Sequence, residues 1–466
     1  MLLDIEQLEG KLTFSFFDEN GDVQLKTYDT SKFPNWHICE ETDKRRNAHH
    51  DNWDGKPVKP AYERKISKHG LIEFIERLPK EDSDLIFGYN FPKTFFFDIE
   101  TEVTDSFPEP DKAENKILTI SVVAPNGQVI ILGLKDFSTK QLEDIEKSTN
   151  KYFDKFNINW KIKYIKYNTE YDLVYTFINK FMPKFPMLSG WNCINFDWKY
   201  IVNRCKRLQI NPAEASPTGT LTRDGLPYHI GIVDYMDLYA NWDRSISVKE
   251  NSQLNTAAIQ AVGVGKIKYD GGLQQLYDDD YQKYVYYNAV DSILVYLIDK
   301  KLKTLQVVLT LSNICKISFY KAGSPVAITE SFISRNLLAE GKVMSVKPYQ
   351  KDKEKSEQYT GAFVKQPVVG KHKAVACFDF ASLYPSIMRQ FNISPDSFIE
   401  VAGKEKADTY DVDKYTVTST GAVYEKEPSI LKKVLTDLYA KRREYKKKML
   451  DYKMDLEKIS EKLKEK

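Results

Sequence analysis

Three short patterns set carboxylates at spacings that let them share hard cations. Asp98-Ile-Glu100 ends a Phe-rich run, and an extended chain turns residues two apart to the same side, so both carboxylates can meet one ion. Asn192-Cys-Ile-Asn-Phe-Asp197 follows a Trp-bearing strand and opens a helix. Tyr287-Asn-Ala-Val-Asp291 lies within a helix, where i and i+4 share a face. Singly, each has an ordinary reading: a solvated strand edge for Asp98 and Glu100, an N-cap for Asp197, a helix-surface pair for Tyr287 and Asp291. Their order makes a coherent set, in which Asp98, Glu100, Asp197 and Asp291 hold two divalent ions, Mg²⁺ or Mn²⁺. One ion would generate hydroxide and the other stabilise the leaving 3′ oxygen of an in-line displacement on a phosphodiester, with Tyr287 orienting the attacking water.

A second place for chemistry is Asp379-Phe-Ala-Ser-Leu-Tyr-Pro-Ser386. At the end of a strand, Asp379 would hold Mg²⁺, the backbone after it would face a triphosphate, and the Tyr384 ring would lie under the incoming sugar. Such transfer normally uses two carboxylate clusters to clamp two ions, and only one is recognisable here. A third is Leu438-Tyr-Ala-Lys-Arg-Arg-Glu-Tyr-Lys-Lys-Lys-Met449, where Arg442 and Lys446 stand at i and i+4. An Arg fork beside a Lys point charge suits a polyphosphate; the plain alternative is a solvated charged helix.

The elements that must position these residues follow from periodicity. Thr94–Phe97 opens a buried strand, and Ile117–Ala124 and Val129–Leu134 follow, joined across Pro125-Asn-Gly127, a hairpin signal. Asp197–Leu208 is amphipathic, Ser252–Val262 helical, and Tyr281–Leu302 a long helix. Leading strands followed by a strand and helix mixture predict a mixed α/β fold, with a ribonuclease-H-like domain over about 93–304. Residues 1–92 read as an α+β N-terminal domain of short strands and turns, to which a helical 305–350 returns. A strand-rich unit, including a strand over Ala374–Phe380, spans 351–428, and 429–466 is one long helix. That helix carries Leu438, Tyr445, Met449, Tyr452, Leu456, Ile459 and Leu463 at alternating intervals of three and four, a stripe that needs a partner.

At 466 residues the chain is long enough for two to four domains. Lys+Arg 68 against Asp+Glu 66 nearly cancel, so a polyanion site must be a local patch. Five cysteines without a CxxC pair read as buried thiols in a reducing cytoplasm. The start lacks a basic n-region, and no window approaches an 18-residue apolar run. The expectation is therefore a soluble, cytoplasmic protein with no membrane partner.

The phrases Gln358-Tyr-Thr-Gly-Ala-Phe-Val-Lys365, Phe378-Asp-Phe-Ala-Ser-Leu-Tyr-Pro-Ser-Ile387 and Arg389-Gln-Phe-Asn-Ile-Ser-Pro395 closely resemble family B DNA polymerases of the T-even-like phage type. The first three patterns also stand in the order of that family's tyrosine-type 3′–5′ proofreading exonuclease. The resemblance covers about 90–466 well and the first 90 residues loosely. It implies that Asp379 is the first palm metal ligand and that the backbone of Ser382 and Leu383 faces the triphosphate. It makes Tyr384 the gate against a ribose 2′-OH, and has Arg442 and Lys446 on the first fingers helix grip the triphosphate. Tyr359, Gly361 and Ala362 would contact template backbone between exonuclease and palm, and Asn192 and Phe196 would contact DNA in the exonuclease site. The implied partners are single-stranded and primer-template DNA, a dNTP and a sliding clamp, with two Mg²⁺ or Mn²⁺ per site, in the host cytoplasm if the chain is phage-encoded.

The family's returning fingers helix, Lys-x-x-x-Asn-Ser-x-Tyr-Gly, and its Asp-Thr-Asp cluster do not occur in the sequence. Asp411-Val-Asp413 precedes the fingers helix, whereas the family's second cluster follows it, so it is no substitute. Two explanations stay open: a split polymerase whose second polypeptide supplies the missing parts, or a truncated product. The leading expectation is an exonuclease that polymerises when complemented. The alternatives are a polymerase-derived binding protein without catalysis and a free-standing exonuclease, the latter leaving Tyr384, Arg442 and Lys446 without a use.

Overall fold

The computed structural model describes the chain except residues 40–49, 105–106, 244, 247, 347–362, 381, 404–405, 407 and 465–466. Tyr359, Gly361 and Ala362 therefore lie outside the described residues. Among those described, the first strands are β1 (Leu2–Leu8), β2 (Lys11–Phe17), β3 (Val23–Asp29), β4 (Asn35–Ile38), β5 (His50–Asp51) and β6 (Pro57–Ala61). Then come β7 (Thr94–Thr101), β8 (Ile117–Val123), β9 (Gln128–Gly133), β10 (Lys161–Lys166), β11 (Met187–Gly190) and β12 (Gly231–Asp234). The last are β13 (Phe398–Val401), β14 (Tyr415–Val417) and β15 (Ala422–Glu425).

The chain divides into two compact units, Met1–Thr30 with Leu78–Ile328, and Ser31–Arg77 with Thr329–Lys466. These units cut across the segments expected from the sequence, because the first 92 residues are shared between them.

In the first unit a six-stranded sheet has the order β10-β9-β8-β7-β11-β12. β7, β8 and β9 run antiparallel, while β10, β11 and β12 each lie parallel to a neighbour. The β8–β9 turn closes as expected from Pro125-Asn-Gly: Ala124 N donates to Gln128 O at 2.8 Å and Gly127 takes φ +84°. Period-two alternation divides the core. Phe96, Val129 and Ile131 face an apolar layer built with the Tyr281–Leu302 helix, including Val285, Ala289 and Ile293. Phe97, Ile99 and Leu132 face the opposite layer, with Leu173, Phe177, Trp198 and Ile201 from the 170–207 segment. Asp98 and Glu100 share the parity of Phe96, so β7 presents them to the long helix. β1, β2 and β3 form a separate antiparallel meander. The Thr304–Cys315 helix and the turn after it contact this meander: Leu2 N donates to Asn313 Oδ1 at 3.3 Å, and Ser318 Oγ to Asp4 Oδ1 at 2.8 Å.

In the second unit, β4, β6 and β5 form a small antiparallel sheet whose Trp36 and Val58 pack on Val343. β13, β15 and β14 form another. The Leu383–Phe391 helix lies beside the Ile430–Lys464 helix, with Arg389 Nε donating to Thr436 Oγ1 at 3.2 Å and its guanidinium 5.1 Å from the Tyr439 ring. One expectation fails: Ala374–Phe380 is not a strand, and its residues are exposed, including Val375, Phe378 and Phe380. A strand persists only where a neighbour takes its backbone hydrogen bonds, and no described strand lies beside this one. The cysteines also depart from expectation, since Cys377 is exposed and Cys39 half-buried, while Cys193, Cys205 and Cys315 are buried. No helix among the described residues is long and apolar enough to cross a membrane.

Candidate active site

β7, the long helix and the loop before it assemble the site. Asp98, Glu100 and Asp291 bring carboxylate oxygens within 4.8 Å of one another, the one such group of three or more metal-ligating side chains among the described residues. Sequence distance is large, but geometry is simple: two residues of one parity on β7 meet one residue of a helix packed against that face. Asp98 is fixed by the same helix, where Asn288 Nδ2 donates to its Oδ2 at 2.8 Å.

Asp197 takes a different place. It lies in a π-helical turn, Ile194–Trp198, ahead of the Lys199–Arg207 helix, and it is the N-cap of neither. Instead Ile99 N in β7 donates to Asp197 Oδ1 at 3.0 Å, so the side chain is buried against the strand between Asp98 and Glu100. It stands beside the group of three rather than within it.

Crowding four carboxylates, three of them buried and Asp98 half-buried, has an electrostatic consequence. Burial, then the charges of Asp197, Glu100 and Asp291, raise the Asp98 carboxyl well above the ordinary range. Burial and Asp291 push Glu100 up to about 8, and burial pushes Asp197 up to about 7. Burial also raises Asp291, although Lys266 pulls against it. Lys266 Nζ donates to Asp291 Oδ2 at 2.6 Å and to the Tyr287 hydroxyl at 3.1 Å. Burial works against the lysine's charge, but Asp291 and the neighbouring acids outweigh it and hold the ammonium protonated. Burial and Asp291 likewise keep the Tyr287 phenol protonated.

The donor set fits divalent cations. It offers hard oxygen ligands only, it has more carboxyl groups than the one lysine can pair with, and Asp291 Oδ1 is buried without a hydrogen-bond partner. Asp98, Glu100 and Asp291 are the side chains able to hold such an ion, with Asp197 next to them.

Sequence reasoning missed Lys266, Asn288 and Asp234. Lys266 follows the helix Leu254–Val262, which ends at Gly263 with φ +69°, and Lys266 N is pinned to Asn255 Oδ1 at 2.8 Å. Nothing in its local pattern connects it with Asp291, 25 residues on. Asp234, at the end of β12, accepts from Asn192 N at 2.9 Å and Ile194 N at 3.3 Å, and so holds the turn that carries Asp197. Burial pushes its carboxyl up to about 6. Phe196, on that turn, is half-buried and faces the exposed Phe107 with ring centroids 5.6 Å apart.

The residues expected from the sequence to bind nucleotide lie in the second unit. Asp379 is exposed and joins no group of three metal-ligating side chains among the described residues. Ser382 precedes the Leu383–Phe391 helix with φ +53°, and Tyr384 on its first turn is 71% exposed. Arg442 and Lys446 are exposed on the Ile430–Lys464 helix. The expected apolar stripe is exposed too, from Leu438 through Tyr445, Met449, Tyr452 and Leu456 to Ile459, while the Leu463 side chain lies outside the described set.

Comparison with known proteins gives two family matches. Residues 80–231 match the family B DNA polymerase exonuclease domain, and residues 323–462 match DNA polymerase family B, together well over half of the chain. Tyr287, Asp291 and Lys266 fall between the two segments, so their assignment rests on geometry. The chain is 28% identical to a DNA-directed DNA polymerase of Escherichia phage RB69 over 393 residues, covering 76% of this chain and 42% of the relative. It is 27% identical to that of Enterobacteria phage T4 over 416 residues, covering 81% and 44%. A DNA polymerase of Archaeoglobus fulgidus is 26% identical over 408 residues, covering 84% and 44%. The chain thus spans less than half the length of these relatives.

Proposed function

We propose, from the premise that the chain belongs to the family B DNA polymerases, that its first unit is a 3′–5′ exonuclease acting on DNA ends. The observation that carries this reading is the convergence of Asp98, Glu100 and Asp291 under Lys266 and Tyr287. Asp98, Glu100, Asp197 and Asp291 would hold the divalent ions. When bound, these supply the Lewis-acid charge for hydrolysis of a phosphodiester.

The chain's own side chains do the rest. Lys266 fixes Asp291 and Tyr287 relative to each other, and the phenol, held protonated, would orient a water. Asn288 fixes the rotamer of Asp98. Asp234 holds the Asn192–Asp197 turn and with it Phe196, whose ring, opposite Phe107, suits stacking with an unpaired base. Opening of base pairs at a mismatched end would deliver such bases.

The finer reading is that Asp379, Ser382, Leu383, Tyr384, Arg442 and Lys446 are the nucleotide-binding half of a polymerase site. One exposed carboxylate is not enough for a two-ion clamp. The second carboxylate cluster, a returning fingers helix to cover the exposed apolar stripe, and a thumb would come from a second polypeptide. Tyr359, Gly361 and Ala362 would track template backbone, and a sliding clamp would hold the assembly on DNA in the cytoplasm.

The test is release of mononucleotides from 5′-labelled single-stranded DNA with Mg²⁺ or Mn²⁺. DNA binding without metal-dependent cleavage would replace this reading with that of a non-catalytic nucleic-acid-binding protein. Primer extension on co-expression with a polypeptide carrying the second cluster tests the finer part.

A further inference from the structure

The Lys199–Arg207 helix begins two residues after Asp197 and does more than bury its apolar face. Tyr200, Asn203, Arg204 and Arg207 recur at i, i+3, i+4 and i+7, one face of a helix, and all four reach carbonyls of the loop between β7 and β8. Tyr200 Oη donates to Asn115 O at 2.8 Å and Asn203 Nδ2 to Pro110 O at 2.9 Å. Arg204 Nη1 donates to Ala113 O at 3.1 Å and Glu114 O at 2.6 Å, and Arg207 Nε to Lys112 O at 2.6 Å.

Arg204 is itself anchored. Its Nε and Nη2 form a bidentate pair with Glu170, both contacts at 2.7 Å, and both residues are buried. The same Glu170 carboxylate accepts from Ile117 N at 2.8 Å and so starts β8. Among its described residues the loop's own backbone bonds are the one that closes its base, Glu102 N to Lys116 O at 2.8 Å, and a turn at Glu109, and Ala113 is held in the left-handed region at φ +44° with its side chain fully buried. A non-glycine residue keeps that conformation only where its surroundings impose it. The loop leaves β7 just after Glu100 and carries Phe107, which faces Phe196 from the Asp197 turn.

We propose that Arg204, locked by Glu170, is a positioning residue for the DNA strand end: it holds the 107–116 loop so that Phe107 and Phe196 form a fixed seat for the terminal unpaired bases. This inference rests on the exonuclease reading. It predicts that loosening the loop weakens capture of the bases without changing the chemistry at Asp98, Glu100 and Asp291.

The experiment uses the full chain and two single-stranded oligonucleotides, one ordinary and one ending in abasic nucleotides. Arg204→Lys keeps the charge but loses the fork. The double variant Asn203→Ala/Arg207→Ala cuts two loop contacts nearer the surface, leaves the buried pair in place, and decides the matter if Arg204→Lys does not fold. The expected result is a KM about tenfold higher on the ordinary strand, the order of one base–aromatic stack. In the same assays kcat stays within about twofold and the abasic strand shows no difference from wild type. Equal KM for wild type and a folded variant overturns the proposal, as does a loss that is the same on both strands, which marks a merely structural role. Failure of the wild type to cleave either strand removes the exonuclease reading itself.

Discussion

At Glu100, burial and the charge of Asp291 push the carboxyl from an ordinary 4.5 up to about 8. In the metal-free protein the folded state therefore holds a proton over this range that the unfolded chain releases. Stability contributed by that proton is complete below the unfolded value and is lost as pH rises through the folded one. Thermal melts in EDTA should show Tm of the wild type falling more steeply than that of Glu100→Gln between about pH 5 and about pH 9. Added Mg²⁺ or Mn²⁺ should restore the wild type most at the alkaline end; equal slopes for the two proteins would contradict the assignment. Lys266 gives a second expectation. Lys266→Met should lower kcat for DNA hydrolysis by on the order of 10², with little change in KM, because it removes the group that orients Tyr287 and Asp291 rather than one that binds DNA. These residues also mark how far the site was legible. Asp98 and Glu100 could be paired from a spacing of two, and Tyr287 and Asp291 from a spacing of four, because one element places each pair. Lys266, Asn288 and Asp234 could not, because each acts on a partner that only tertiary packing brings near.

Elements with a strong local signature formed as the sequence predicts. The Tyr281–Leu302 helix has those bounds in the structure, and the Pro125-Asn-Gly127 turn joins the expected strands. Ala374–Phe380 has an equally strand-like alternation and is not a strand, since the pattern describes a face and a ladder requires a neighbour. Asp197 shows the same limit at finer scale: an aspartate before a helix suggests a cap, yet its carboxylate crosses to Ile99 N. The approach of β11 to β7 makes a direct prediction. A Cβ on Gly190 would stand 2.7 Å from Phe97 O and 2.8 Å from Cys193 Cβ. Gly190→Ala should therefore cost about 1–3 kcal/mol in denaturant unfolding and should shift the turn that carries Asp197. An unchanged midpoint would mean that β7 and β11 are not packed this closely.

At the scale of the whole molecule, the two units hold two chemistries. The first brings three carboxylates together on its own; the second carries Asp379, Tyr384, Arg442 and Lys446, all exposed, which the proposal assigns to nucleotide binding. On the proposed function, residues 1–466 by themselves should excise nucleotides without extending a primer. Extension should appear when a polypeptide with the second carboxylate cluster is added, and Arg442→Ala should then raise the KM for dNTP about tenfold or more. The central claim, that the carboxylates of β7 drive metal-dependent cleavage, is tested most directly by mononucleotide release from single-stranded DNA. Wild type and the double variant Asp98→Ala/Glu100→Ala would be compared with Mg²⁺ or Mn²⁺. The account predicts release by the wild type, abolished by EDTA and by the double substitution while DNA binding persists; undiminished release by the double variant would contradict it.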